Sequence, residues 1–238
     1  GCSYRCIYCT YPNIEGRQLR LFDPVDVAQM ALDMQSSGAR FIYVTDAVFN
    51  ASYAHAMAVA EAFLHAGLKV PWGAYFTPTR APRGFYRLMR RAGLSHVEFG
   101  TEALNDEVLT IYQKPFDAEQ VFSSHERALT AGLNVAHFLL MGGPGETPLT
   151  LAQTIDNIYK LPQSVLFVFV GIGSIPIPGF SRSQGTRGRS MPGNRSSVQF
   201  IFRPNRFVTL ILSRRSSPMS PGARIESWGA EMAKPLPH

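Results

Sequence analysis

The sequence predicts an α/β protein built from parallel βαβ units. Between about residues 23 and 172, short runs rich in β-branched and aromatic residues alternate with segments of helical periodicity. Each strand-like run is separated from the next by about one helix, the length a parallel crossover needs. Glycines and capping residues fall at the joints between segments. These features leave open whether the strands form an open sheet or the wall of a barrel.

The elements follow in order. Residues 24–37 read as a helix: Asp23 can cap it, Pro24 suits its first turn and Gly38 ends it. Its Val27, Met30, Ala31 and Met34 share one face. Residues 40–45 read as a strand. A helix over 53–66 stops at Gly67, and 70–76 form the next strand. Residues 82–91 make a short helix ending before Gly93, and 96–100 a further strand. The helix over 118–131 opens on Asp117 and Gln120, spaced as a variant capping box. Strand 134–141 runs into a Gly-Gly-Pro-Gly turn. Helix 148–160 is capped by Thr147, with Leu151, Ile155 and Ile158 on its inner face. The strand at 164–172 is nearly continuous apolar sequence, which fits burial on both faces.

A length of 238 residues allows one large domain, or one domain plus a tail. Charge divides the chain in that way. Residues 1–179 carry 13 Lys and Arg against 15 Asp and Glu, whereas residues 180–238 carry 10 against 2. The basic balance belongs to the tail, and the body requires no polyanionic partner, so no nucleic acid is expected. The last 59 residues hold ten serines, nine arginines and six prolines, with one apolar patch at 207–212 that could form a strand. We therefore expect a core over 1–172 and a basic tail over 173–238, disordered or translated from a shifted reading frame. No apolar run approaches the length of a membrane span, and the longest, 165–172, is far too short. No secretory leader is visible, so a cytoplasmic location is expected.

All three cysteines, Cys2, Cys6 and Cys9, lie within the first nine residues. An odd count cannot close into a full set of internal disulfides, and thiols gathered this way point to ligands in a reducing compartment. The C-x3-C-x2-C spacing lets three thiolates ligate three irons of a [4Fe–4S] cube and leaves the fourth iron open. A zinc site would need a fourth ligand, yet the first histidine is His55. Three incidental thiols remain the bland alternative. His55, His65, His96, His125 and His137 show no ligand spacing and are assigned nothing.

The cysteine loop resembles that of the radical S-adenosylmethionine (SAM) superfamily, and the similarity extends over about residues 1–172. In that family the loop binds the cluster, and SAM chelates the open iron. Tyr8 matches the aromatic that packs beside the adenine. Residues 10–17 and the Asp46-Ala-Val-Phe-Asn50 run resemble members that also bind cobalamin. There Asp46 stands as the carboxylate for the SAM ammonium, in place of the usual Gly-Gly-Glu. Gly100-Thr-Glu102 resembles the Gly-x-Glu-Ser region, so Glu102 is the candidate for the ribose or amino group, with Glu98 second. Gly142-Gly143-Pro144-Gly145-Glu-Thr matches a glycine-rich strand end near SAM. Gly171-Ile-Gly-Ser-Ile-Pro-Ile-Pro-Gly179 departs from the Gly-Ile-Arg-Ile-Tyr-Pro-Gly of relatives, at the point where the charge changes.

The resemblance implies a partial (βα)6 TIM-like barrel, incomplete at its N-terminus because a first strand would precede the cysteine loop, and followed by an irregular C-terminal tail. It implies a [4Fe–4S] cluster and SAM as cofactors, with cobalamin supplied by a missing N-terminal domain. The activity it implies is reductive cleavage of SAM to start radical chemistry, in cobalamin-linked methyl transfer, on an unidentified small-molecule or lipid-like substrate. The electron comes from a reductant such as flavodoxin or ferredoxin. A radical SAM oxidoreductase or isomerase without corrinoid, an RNA-modifying member and a non-catalytic iron–sulfur protein stay open. No residue is singled out as catalytic beyond the cofactor ligands.

Overall fold

The alternating pattern folds as a seven-stranded sheet whose strands lie side by side in sequence order. The computed structural model describes residues 1–171 and the strands Val198–Phe202 and Val208–Leu212. Five strands, β1 (Ile42–Val44), β2 (Trp72–Phe76), β3 (Leu94–Glu102), β4 (Asn134–Met141) and β5 (Ser164–Val170), are all parallel. A doubly wound sheet would reverse its order at a switch point; unbroken sequential order is the order of a barrel wall. The expected partial barrel is therefore present as five consecutive strands.

The helices are α1 (Tyr11–Ile14), α2 (Pro24–Ser36), α3 (Tyr53–Ala66), α4 (Phe85–Arg91), α5 (Asp106–Ile111), α6 (Ala118–Thr130) and α7 (Pro148–Ile158). Their starts are set by the side chains that the sequence offers. Asp23 accepts from the Val25 N–H at 2.8 Å, and Asp117 with Gln120 closes a full capping box on α6. Gly67, at φ +72°, ends α3.

Strand alternation divides the molecule into two faces. Trp72, Ala74, Phe76, Val97, Phe99, Val135, Leu139, Leu166 and Val168 are buried toward the helices. Trp72 is the hub of this layer: its ring lies 5.1 Å from Phe49 and 5.4 Å from Phe63, and its indole N–H donates to the Ala92 carbonyl at 2.8 Å. The opposite face carries Tyr43, Tyr75, His96, Glu98, Phe138, Phe167 and Phe169.

Four expectations change. On α2 the buried residues are Ala28 and Ala31, with Val27 packed beside them, while Met30 and Met34 are about half exposed. On α7 the buried face is Thr150, Thr154 and Ile158; Ile155 is exposed. Strand β5 is buried on its helix side only, alternating with half-buried Phe167 and Phe169. The tail is not wholly irregular: β6 (Val198–Phe202) pairs antiparallel with β5, and β7 (Val208–Leu212) antiparallel with β6. The second of these strands matches the apolar patch at 207–212. The remaining tail expectations fall outside the described residues. Helices α1 and α5 and a 3-10 turn at Phe49–Ala51 add to the predicted elements.

Candidate active site

The N-terminal loop is pinned by its backbone. Cys2 N–H donates to the Gly16 carbonyl at 3.0 Å, Ile7 N–H to Tyr112 O at 3.2 Å, and Cys9 N–H to Cys6 O at 3.2 Å. These bonds hold the loop over the C-terminal ends of β2 and β3, the end of a parallel barrel where sites gather. Cys2 is buried, Cys6 and Cys9 are half-buried, and all three are free thiols. They line one cavity of about 300 Å³ together with Tyr4, Tyr8, Glu102 and Lys114. Tyr75, Phe138 and Phe169 supply its aromatic wall.

Among the described residues, no three His, Cys, Asp or Glu side chains close around a single metal ion. A cubane makes a different demand from a zinc ion: each thiolate takes its own iron, so the sulfurs must share a cavity rather than a point. The three thiols meet that demand, and the donor set fits the cluster.

Lys114 is the site residue that the sequence did not announce. Helix α5 ends in a Schellman motif, with Gln113 N–H donating to Thr110 O and Lys114 N–H to Leu109 O, each at 3.0 Å, and Gln113 at φ +56°. That turn throws Lys114 into the cavity. Its Nζ donates to the Tyr8 hydroxyl at 2.9 Å and pairs with Glu102 Oε1 at 3.4 Å, the side chains being 7% and 16% exposed. The ammonium also lies 5.5 Å from the Tyr8 ring centroid and 5.3 Å from that of Phe116. Burial pushes the Cys6 thiol above its ordinary range, and Lys114 acts in the opposite sense. Burial, then the Glu102 carboxylate, pushes the Tyr8 hydroxyl upward, so Tyr8 stays protonated.

Glu102 reaches the cavity through a local irregularity. Its φ is +64°, the Ala103 N–H donates to Thr101 O at 2.8 Å, and the register with β4 shifts between Gly100 and Glu102. Glu98, four residues earlier on the strand, does not line this cavity. Its Oε2 accepts from the Tyr43 hydroxyl at 2.7 Å and its Oε1 meets His96 Nε2 at 3.1 Å. Burial opposes ionisation there, but the His96 and Tyr43 hydrogen bonds outweigh it and hold the carboxyl below its ordinary range.

The structure brings Cys2, Cys6, Cys9, Tyr8 and Glu102 together, and leaves the other candidates beside them. Asp46 is exposed at the end of β1 and lines a neighbouring groove of about 310 Å³, while Ala47 and Val48, next in sequence, line the cysteine cavity. Gly142, Gly143, Pro144 and Gly145 do not line it. Gly142 at φ +77° donates its N–H to Glu146 Oε2, folding the turn on itself. Gly145 sits at φ +79°, a left-handed conformation that favours glycine, where the turn backs onto Ile111 of α5. The turn reaches the site through Tyr112, whose hydroxyl is pushed up to about 12 by burial, then by the Glu146 and Glu102 carboxylates. The Tyr112 ring meets Tyr8 edge-on at 5.6 Å.

Comparison with known proteins gives the family and the fold. Tryptophan 2-C-methyltransferase of Streptomyces laurentii is 24% identical over 202 residues, which cover 77% of this chain and 33% of that protein. Ribosomal protein uS12 methylthiotransferase RimO of Oleidesulfovibrio alaskensis is 25% identical over 215 residues, 84% of this chain and 46% of that protein. The chain thus spans less than half the length of either relative. In fold it is similar to the radical SAM methyltransferase TsrM of Kitasatospora setae, solved with cobalamin and a [4Fe–4S] cluster bound, with a TM-score of 0.68 at 22% identity over 72% of this chain and 35% of that one. Residues 1–158 match the family model of the Radical SAM superfamily, whose members are enzymes that use a [4Fe–4S] cluster and SAM and draw on an electron donor. With two thirds of its length under that match, the chain belongs to the radical SAM superfamily.

Proposed function

We propose that this chain reductively cleaves SAM at a [4Fe–4S] cluster held by Cys2, Cys6 and Cys9. The observation that carries the reading is the single cavity shared by all three thiols, Tyr8, Glu102 and Lys114 at the strands' C-terminal ends. When bound, the cluster and SAM supply one-electron reduction and a sulfonium that yields a carbon radical. The chain's own residues do the positioning. The Lys114 ammonium offers a cation to the SAM carboxylate, and Glu102 an anion to its ammonium or ribose hydroxyls. Tyr8, kept protonated, presents an aromatic edge and a hydroxyl beside them. Tyr75, Phe138 and Phe169 give an aromatic wall suited to an adenine ring or a planar substrate, and they exclude water. Asp46, at the rim, becomes a second carboxylate for the SAM ammonium if its loop closes over the cavity.

The finer reading is cobalamin-linked methyl transfer. It is supported by the relatives' names and by the Asp46-to-Asn50 and 10–17 runs, with the corrinoid held by a domain encoded upstream. The electron donor is a flavodoxin or ferredoxin, and the free thiols suit a reducing, cytoplasmic setting. No described helix is long and apolar enough to cross a membrane.

Anaerobic reconstitution tests the core of the proposal. The wild-type chain takes up about four irons and, with dithionite, releases methionine and 5′-deoxyadenosine from SAM. Cys9→Ala loses the iron and the cleavage together. Retention of both in the variant rules out the ligand assignment. The upstream DNA decides the finer reading: an Asp-x-His-x-x-Gly loop in the same frame supports a cobalamin partner domain, and its absence favours a corrinoid-free member.

A further inference from the structure

Resting on the assignment of Glu102 to SAM, we propose that the buried pair His125 and His137 is a positioning device that holds Glu102 at the cavity through the Thr101 hydroxyl. Thr101, His137 and His125 are 0%, 0% and 2% exposed. They form one chain of hydrogen bonds across four parts of the fold. His125 Nε2, on α6, lies 3.0 Å from the Pro162 carbonyl ahead of β5. His125 Nδ1 lies 3.0 Å from His137 Nε2 on β4, and His137 Nδ1 lies 2.7 Å from Thr101 Oγ1 on β3.

The chain has one consistent direction. A carbonyl can only accept, so His125 Nε2 carries a proton. With the ring neutral, its Nδ1 accepts, and His137 Nε2 must donate to it. His137 Nδ1 is then an acceptor, and the Thr101 hydroxyl donates to it. Burial keeps both rings neutral by lowering their proton affinity, most strongly at His137. Every ring nitrogen is satisfied.

Thr101 is also the residue on which the irregular turn is hung. Its carbonyl accepts the Ala103 N–H across Glu102, and Glu102 sits at φ +64° where the β3–β4 register jumps. A non-glycine residue in that conformation persists only where its surroundings fix it. Neighbouring Gly100 lines the cavity and pairs with β4 through its backbone alone, so the side chain that anchors the turn is Thr101, tied to the helix layer on the far side of the sheet. Without that tie the turn relaxes toward regular strand, and the Glu102 carboxylate leaves Lys114.

The test uses the full chain, anaerobically reconstituted, with SAM affinity read by equilibrium dialysis. Thr101→Val removes the hydroxyl at constant shape, and Thr101→Ser keeps it. Iron content stays equal in all three proteins. The valine variant binds SAM roughly tenfold more weakly, as loss of one buried hydrogen bond gives, and the serine variant stays within about twofold of wild type. A second readout needs no cofactor. Nitrogen-15 histidine spectra of the cluster-free wild-type chain at pH 6.5 show His125 and His137 both neutral and both protonated at Nε2. Unchanged affinity in Thr101→Val, equal loss in valine and serine, or a charged or Nδ1-protonated ring overturns the proposal. Failure of the wild-type chain to bind SAM instead overturns the function proposed above, and the spectra still decide the hydrogen-bond chain.

Discussion

A nearly buried ammonium, Lys114, shares one cavity with three thiols and answers one carboxylate, Glu102, at 3.4 Å. Removing one partner of such a pair leaves the other without a counter-ion, which costs more than the pair itself contributes. Lys114→Met is therefore expected to lower stability by about 1–3 kcal/mol and to raise the Kd for SAM at least about tenfold, while iron uptake persists. Adding Glu102→Gln to that variant restores part of the stability but none of the SAM affinity, because the orphaned charge is gone while both contacts are lost. Urea titration and equilibrium dialysis on the two single variants and the double variant check this, and a double variant no more stable than Lys114→Met counts against it. At this scale the grouping of the cysteines was legible, because a nine-residue loop keeps all three thiols close enough to share one cavity. Lys114 was not legible. It is delivered by a helix end whose left-handed position is taken by Gln113, a residue type that gives no sign of the turn.

Among the elements, those with capping side chains could be read closely from the sequence. Helix α3 spans its expected residues, and α6 opens on the Asp117–Gln120 box. Asp117→Ala is expected to cost about 1 kcal/mol by urea unfolding. The inner faces of α2 and α7 were misread because large apolar residues were assumed to point inward. On α7 the Thr150 hydroxyl finds a local partner, Thr147 O at 3.1 Å, and the Thr154 hydroxyl a distant one, the Leu104 N–H at 3.4 Å, so small polar residues can be buried where the helix runs close to its neighbour. Helix α6 and strand β4 meet at the two histidines, and this contact makes stability depend on pH. Both rings titrate below their ordinary value of 6.5, for which burial is the main cause; beyond it, the Pro162 carbonyl and Glu126 pull His125 back upward, and His125 further depresses His137. Above about pH 6.5 the rings are neutral whether folded or unfolded, and the pair adds no pH dependence. Below it the unfolded chain takes up protons that the folded chain refuses, so stability falls by up to about 1.4 kcal/mol per pH unit for each ring until the depressed values are passed. Unfolding midpoints at pH 7.5, 6.5 and 5.5 measure this, and His137→Gln flattens the slope. An unchanged slope in that variant assigns the acid sensitivity to other groups.

Over the whole molecule, strand order and composition disagree at one place. From β1 to β5 every connection is a helical crossover to a parallel neighbour, and the next strand in such a wall is again parallel. Instead β6 and β7 pair antiparallel, after a gap from Val170 to Val198. The family match ends at residue 158, the Gly171–Gly179 run departs from the pattern of relatives, and the charge changes sign over the same stretch. Sequence patterning cannot decide such a case, since an apolar run such as Val208–Leu212 forms a strand whichever frame encodes it. If the frame shifts near codon 171, reading the gene in the other two frames past that point restores an Arg-Ile-Tyr-Pro run, a balanced charge and a further βα unit. Mass spectrometry of the protein from its native source then finds peptides of the restored frame and none of the arginine-rich tail. Recovery of tail peptides, such as those spanning residues 196–203, shows the tail to be genuine sequence, and the wall is then extended past β5 by antiparallel strands.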